Sequence, residues 1–120
     1  MKREIILKTK SFDFAVRVTR LYKYILENRQ EYVLNKQLLR SGTAIGALVR
    51  EAQNAESTAD FVHKLSIAQK EYDETIYWLE LLKQTDYISK KEFESINKDA
   101  LELLKMIRSA IITVKKTQRS

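Results

Sequence analysis

STADFVHKLSIAQKEYDETIYWLELL, residues 57–82, decides the fold. Within it Phe61, Leu65, Ala68, Tyr72, Thr75, Leu79 and Leu82 follow one another in alternating steps of four and three. That spacing keeps apolar side chains on one stripe of an α-helix, the seam of a helix packed at a shallow angle on its neighbours. Ser57 followed by Asp60 resembles a capping box, with Asp in place of the usual Glu or Gln, and predicts the helix start.

The same reading extends in both directions. Downstream, Ser89 and Glu92 form a regular capping box, and Phe93, Ile96, Ala100, Leu103, Ile107, Ala110 and Val114 again alternate three and four, so a helix runs nearly to the end. Upstream, Asn35 is a suitable N-cap for a helix carrying Leu38, Leu39, Ile45, Leu48, Val49 and Ala52, with Asn54 as its stop. Before that, Ser11 is suited to cap a helix burying Phe14, Ala15, Val18, Leu21, Tyr22 and Ile25, which ends in the polar stretch 27–31. Residues 1–10 are expected to form a short basic amino-terminal arm, to which the residues assign no conformation, and residues 11–118 the bundle.

Composition agrees with long helices and few loops: among 120 residues there is no proline, only two glycines, 44% hydrophobic and 32% charged residues. Such a chain makes one domain with a core that needs no staples. Short connections place successive helices antiparallel, and the expected fold is an all-α, antiparallel up-down-up-down four-helix bundle. The lack of cysteine excludes disulfides and thiolate-bound zinc or iron–sulfur centres and suits a cytoplasmic protein. The apolar run at the amino terminus, Ile5-Ile6-Leu7, is broken by Lys8, so no export signal is expected, and no apolar run is long enough to span a membrane.

Two features exceed what a simple bundle needs. Ile67, Tyr77, Trp78 and Leu81 on the third helix, and Leu104, Met106 and Ile112 on the fourth, lie off the seams. They either widen the core stripe or form a second face for a partner subunit. Gly42 and Gly46, the only glycines, stand four apart inside the second helix, where each costs roughly 1 kcal/mol against alanine. On one helix face they permit close approach of another backbone, or else they mark a local bend.

The ordered set Leu38-Leu39-Arg40-Ser41-Gly42-Thr43-Ala44-Ile45-Gly46-Ala47-Leu48-Val49-Arg50-Glu51-Ala52, then Ser57, Asp60-Phe61, Ile67-Ala68-Gln69-Lys70-Glu71 and Glu74-Thr75-Ile76-Tyr77-Trp78-Leu79, resembles the small bacterial four-helix-bundle proteins related to the 23S rRNA intervening sequence proteins. The resemblance spans about residues 12–115. Ala44 and Leu48 depart from the family pattern, which usually has serine and asparagine there, so no polar role is carried over to them. The resemblance implies a ring-forming homo-oligomer, by analogy a pentamer. Some relatives are encoded by insertions in large-subunit ribosomal RNA genes. Others look like accessory proteins of diversity-generating retroelements, which engage a reverse transcriptase and nucleic acid.

Charge is the best functional clue in the residues themselves. The formal net charge is +6, but residues 1–40 carry ten Lys or Arg against four acids, residues 41–104 seven against twelve, and residues 105–120 five against none. The first and last helices of an up-down bundle are neighbours, so Arg17, Arg20, Lys23, Lys105, Arg108, Lys115, Lys116 and Arg119 are candidates for one basic surface. Chain direction favours Arg17 and Arg20 beside Lys115, Lys116 and Arg119. Such a surface attracts the phosphates of RNA or DNA, with affinity that falls steeply with salt. A solvated basic face that suits the helix dipole is the plainer reading. Tyr22, Tyr24 and Tyr32 either stack on bases or pack with the hydroxyl at the rim. No zinc finger, helix-turn-helix or RNP-type motif supports reading of specific bases.

Chemistry finds little foothold. A di-iron bundle needs a Glu-x-x-His from each of two helices, whereas this chain has one histidine, His63, three residues after Asp60. No metal or other cofactor is expected. Glu51, Glu71 and Glu74 have Arg40, Arg50 and Lys70 available as ion-pair partners, Ser41 and Thr43 lack a nearby histidine, and the glycines do not form a phosphate loop. The sequence therefore points to a non-enzymatic nucleic-acid-binding accessory protein. The alternative is a homo-oligomeric scaffold that engages a protein, such as a reverse transcriptase, and binds no nucleic acid.

Overall fold

The protein is described here by a computed structural model covering residues 2–119, with side chains placed from Lys2 to Thr117. Four helices account for nearly all of it: α1 (Lys2–Asn28), α2 (Val33–Gln53), α3 (Thr58–Gln84) and α4 (Lys90–Arg119). Each packs on its two neighbours in a square, α1 and α3 both touching α2 and α4. The result is an antiparallel up-down-up-down bundle, 52 × 22 × 21 Å. Among the described residues no helix is long and apolar enough to cross a membrane.

The seams read from the sequence form the core. Leu65, Ala68, Tyr72, Thr75, Leu79 and Leu82 of α3 are buried, as are Ile96, Ala100, Leu103, Ile107 and Ala110 of α4. They meet Val18 and Ile25 of α1 and Leu38, Ile45 and Val49 of α2. The off-seam residues divide. Leu104 is core, Trp78 and Met106 are half-buried against it, Ile67 and Leu81 are half-buried, and Tyr77 and Ile112 stay 57% and 53% exposed. A wider stripe thus accounts for Leu104, Trp78 and Met106.

The caps confirm two expectations and correct two. Ser57 caps α3, its hydroxyl accepting from the Asp60 N–H at 3.0 Å, while the Asp60 carboxylate reaches back to the Glu56 N–H. At α4 the box is reciprocal: Ser89 Oγ accepts from the Glu92 N–H and Glu92 Oε1 from the Ser89 N–H. Ser11, in contrast, caps nothing. The first helix begins at Lys2, and Ser11 lies buried within it, returning its hydroxyl proton to the Lys8 carbonyl. Asn35 is likewise past the helix start, with Tyr32 at the cap position. Its own N–H is satisfied by the Glu31 carboxylate at 2.8 Å, and its side chain is fully buried, Nδ2 donating to the Tyr22 carbonyl.

Gly42 and Gly46 lie against α1 of the same chain. A Cβ on Gly42 would fall 2.7 Å from Cγ1 of Val18, and one on Gly46 would fall 3.2 Å from the Ser11 carbonyl oxygen. Neither glycine has positive φ, so close packing of two helices, not backbone freedom, requires them. The left-handed turn positions belong instead to Gln30 (φ 54°) and Asp86 (φ 68°), in the α1–α2 and α3–α4 connections.

Candidate nucleic-acid interface

Antiparallel packing of α1 on α4 fixes which charges meet. Arg3 Nη1 donates to Thr113 Oγ1 at 2.7 Å, Lys10 pairs with Glu102 at 3.9 Å, and Arg17 binds the Ser95 carbonyl, the Ser95 hydroxyl and the Asp99 carboxylate. Early α1 therefore lies level with late α4, but early α1 is Lys2 to Lys10. The expected neighbourhood of Arg17 and Arg20 with Lys115 and Lys116 does not form, Arg17 being held by Ser95 and Asp99 near the start of α4. Because the helix starts nine residues before Ser11, at 1.5 Å of rise per residue, Arg17 and Arg20 are carried to the opening turns of α4. There they border a hollow with Lys91, Glu92 and Ser95.

The eight predicted cations thus fall into separate groups. Arg17, Arg20 and Lys23 belong to the half where α1 starts to approach the α1–α2 connection. Lys105 borders a shallow hollow with Arg3, Leu7 and Ser109. Arg108 leans toward α3, its Nε donating to Gln69 Oε1 at 3.2 Å. Lys115 and Lys116 are exposed on the last turns of α4, and the Arg119 side chain lies outside the described residues.

Register, not the count of cations, creates the asymmetry. Residues 2–12 of α1 with residues 103–117 of α4 carry eight Lys or Arg and one acid, Glu4. Residues 13–28 with residues 90–102 carry six cations and six acids. In the second half the acids are used: Asp99 takes Arg17, Glu94 takes Lys90 at 3.9 Å, and Glu102 takes Lys10 across the boundary. Lys2, Arg3, Lys8 and Lys10 are the functional candidates that the sequence reading missed. Leu7, four residues before Ser11 and seven before Phe14, continues the α1 stripe and is buried, and that spacing was the available signal.

The acidic α2–α3 flank is organised by ion pairs. Arg40 binds both Glu71 and Glu74, and Trp78 Nε1 donates to Glu74 Oε1 at 3.3 Å. The bond from Arg40 holds the Glu74 carboxyl below its usual range against the opposing effect of burial, and the same bond raises Arg40. Glu51 pairs with Lys64 at 3.2 Å, and not with Arg50, whose guanidinium sits over the Phe12 ring. Burial pushes the Tyr72 phenol up. Each of these carboxylates is thus engaged by a cation of the neighbouring helix. Among the described residues no group of three or more His, Cys, Asp or Glu is placed to hold a metal.

Several apolar side chains face solvent. Ile5 and Phe12 of α1 are 64% and 52% exposed, Tyr77 and Trp78 meet edge to face at 4.9 Å, and Tyr24 and Tyr32 are also exposed whereas Tyr22 is half-buried.

With this geometry in hand, comparison with known proteins places the chain. No curated protein matches it. A crystal structure from Bacteroides thetaiotaomicron VPI-5482, described as a protein with unknown function from the S23 ribosomal protein family, superposes with a TM-score of 0.89 at 51% identity, over 91% of this chain and 97% of that one. The sequence profile of the 23S rRNA-intervening sequence proteins matches residues 3–109, which takes in α2, α3 and the Arg40–Trp78 network whole, α1 but for Lys2, and α4 as far as Ser109. By sequence and by architecture, the chain belongs to the 23S rRNA-intervening sequence protein family.

Proposed function

We propose that this protein is a non-enzymatic, ring-forming accessory protein that binds the phosphate backbone of RNA or DNA through the shared end of α1 and α4, with low sequence selectivity. The observation that carries the reading is the eight-to-one excess of cations over acids along residues 2–12 and 103–117, set beside a balanced remainder of the same helix pair. A surface of one sign concentrates polyanions, and its contacts are to phosphates, which are alike in every sequence. Lys8, Lys10, Lys105 and Lys115 stand exposed on α1 and α4, as suits a ligand that runs past the protein instead of entering it. Exposed Ile5, Phe12 and Tyr77 support assembly, and copies of one basic end around a ring add their affinities.

The test is titration of the protein into labelled RNA and DNA duplexes at several salt concentrations, with particle mass measured by light scattering. Binding that weakens linearly in log salt, with a slope of roughly −0.9 per phosphate contact on DNA, supports the reading. Absence of binding at low salt rejects it and leaves a homo-oligomeric protein scaffold, the reading favoured by the exposed Phe12 and Tyr77.

A further inference from the structure

At the end of the bundle where α1 and α3 begin and α2 and α4 end, the four helices do not close on one another. They leave a pocket of about 300 Å³, at the lower end of the range of roughly 300–1,000 Å³ that small-molecule sites occupy. Its walls are core: Leu7, Val49 and Leu65 line it, each with almost no surface of its own exposed. Two alanines make the space. Ala52 of α2 and Ala110 of α4 stand where most other layers of these helices place Leu, Ile or Val, and both border the pocket.

The rim differs in kind from the walls. Arg3 and Thr113 stand there, joined by the 2.7 Å bond from Arg3 Nη1 to Thr113 Oγ1. The hydroxyl fixes one guanidinium nitrogen and leaves the charge unneutralised, for Arg3 forms no ion pair with an acid among the described residues. Glu4 also borders the rim, but its carbonyl is engaged by Gln53 Nε2 at 2.6 Å, and its carboxylate forms no ion pair with Arg3. An apolar chamber beneath one fixed guanidinium is complementary to a molecule with a hydrocarbon body and an anionic head. A guanidinium offers paired donors in the geometry of a carboxylate.

We propose that this pocket binds a medium-chain carboxylic acid, its hydrocarbon chain between Ala52 and Ala110 and its carboxylate on Arg3. The proposal is independent of the nucleic-acid reading, since it rests on the cavity and one rim arginine, not on the field of the basic end.

The experiment is calorimetric titration of the full chain with hexanoate, octanoate and octanol. One saturable site is expected, with affinity rising about fourfold for each added methylene. Arg3→Gln weakens octanoate about tenfold while leaving octanol unchanged, and Lys8→Gln, which alters the same field away from the rim, leaves both unchanged. Ala110→Leu fills the chamber and abolishes binding of all three. If that variant does not fold, the Arg3→Gln and Lys8→Gln pair still decides. Equal weakening by Arg3→Gln and Lys8→Gln overturns the proposal, because the acid is then collected by the general field. Failure of octanoate to bind also overturns it, and a change of particle mass on Ala110→Leu in that case marks the pocket as the seat of a second copy of the chain.

Discussion

A methyl group on Gly42 would stand 2.7 Å from Cγ1 and 2.8 Å from Cγ2 of Val18, a side chain with no exposed surface. Val18 has nowhere to retreat, so α1 and α2 must separate to admit any side chain at position 42. Gly42→Ala gains up to about 1 kcal/mol of helix propensity but meets an overpacking cost of roughly 1–3 kcal/mol. Net destabilisation of up to about 2 kcal/mol is expected in thermal or urea denaturation. Gly46→Ala, whose Cβ meets the Ser11 carbonyl at 3.2 Å, loses less. An increase in stability for Gly42→Ala would overturn this account of the helix contact.

Gln30 is in the left-handed region at φ 54°, where an L-residue with a long side chain pays about 1–2 kcal/mol. Gln30→Gly removes that strain and costs some unfolded-state entropy, giving a gain of roughly 0.5–1 kcal/mol. A raised denaturation midpoint with an unchanged m-value checks it.

Charge reversal separates the two halves of the α1–α4 pair. Lys8→Glu with Lys115→Glu alters the end where cations outnumber acids eight to one, whereas Arg20→Glu with Lys23→Glu alters the balanced half. The first pair should weaken RNA or DNA binding by at least about tenfold at low salt and flatten the salt slope, and the second should change it by less. Equal losses from both pairs would show that no local surface is responsible.

The pH dependence of the Arg40–Glu74 pair has a definite sign. Its carboxyl is held below the usual value by the Arg40 bond, so the pair's contribution is fully present above about pH 4.3, the unfolded value, and is lost as pH falls through the lower folded value. With the Glu74 side chain 37% exposed, solvent screening limits that contribution to less than about 1 kcal/mol. Glu74→Gln should lower stability slightly at neutral pH and leave it nearer the wild type in acid, which denaturation at pH 7 and pH 3 will detect.

The fold was legible because α3 and α4 carry their whole specification locally: a cap and an unbroken stripe. The start of α1 was not, because Ser11 is a polar residue on the apolar stripe. In sequence a serine before a hydrophobic run reads as a cap, and only the packed α2 backbone at Gly46 explains a small residue there. That one residue also displaced the candidate site, since moving the helix start to Lys2 slides every α1 cation relative to α4. Segment charges could be counted in advance, but which cations face each other depends on register, and register is settled by long-range packing.

Asn35 gives the α1–α2 pair a memory of its alignment. Its amide is sealed from solvent, Nδ2 holds the Tyr22 carbonyl at 2.9 Å, and Oδ1 has no partner. Apolar contacts tolerate a slide of one helical turn by exchanging one aliphatic neighbour for another, but a sealed amide does not. A shifted pairing would orphan the donor as well as the acceptor, at about 1–3 kcal/mol. The buried amide thus acts as a detent: it adds little to the depth of the native state and much to its separation from near-identical misalignments.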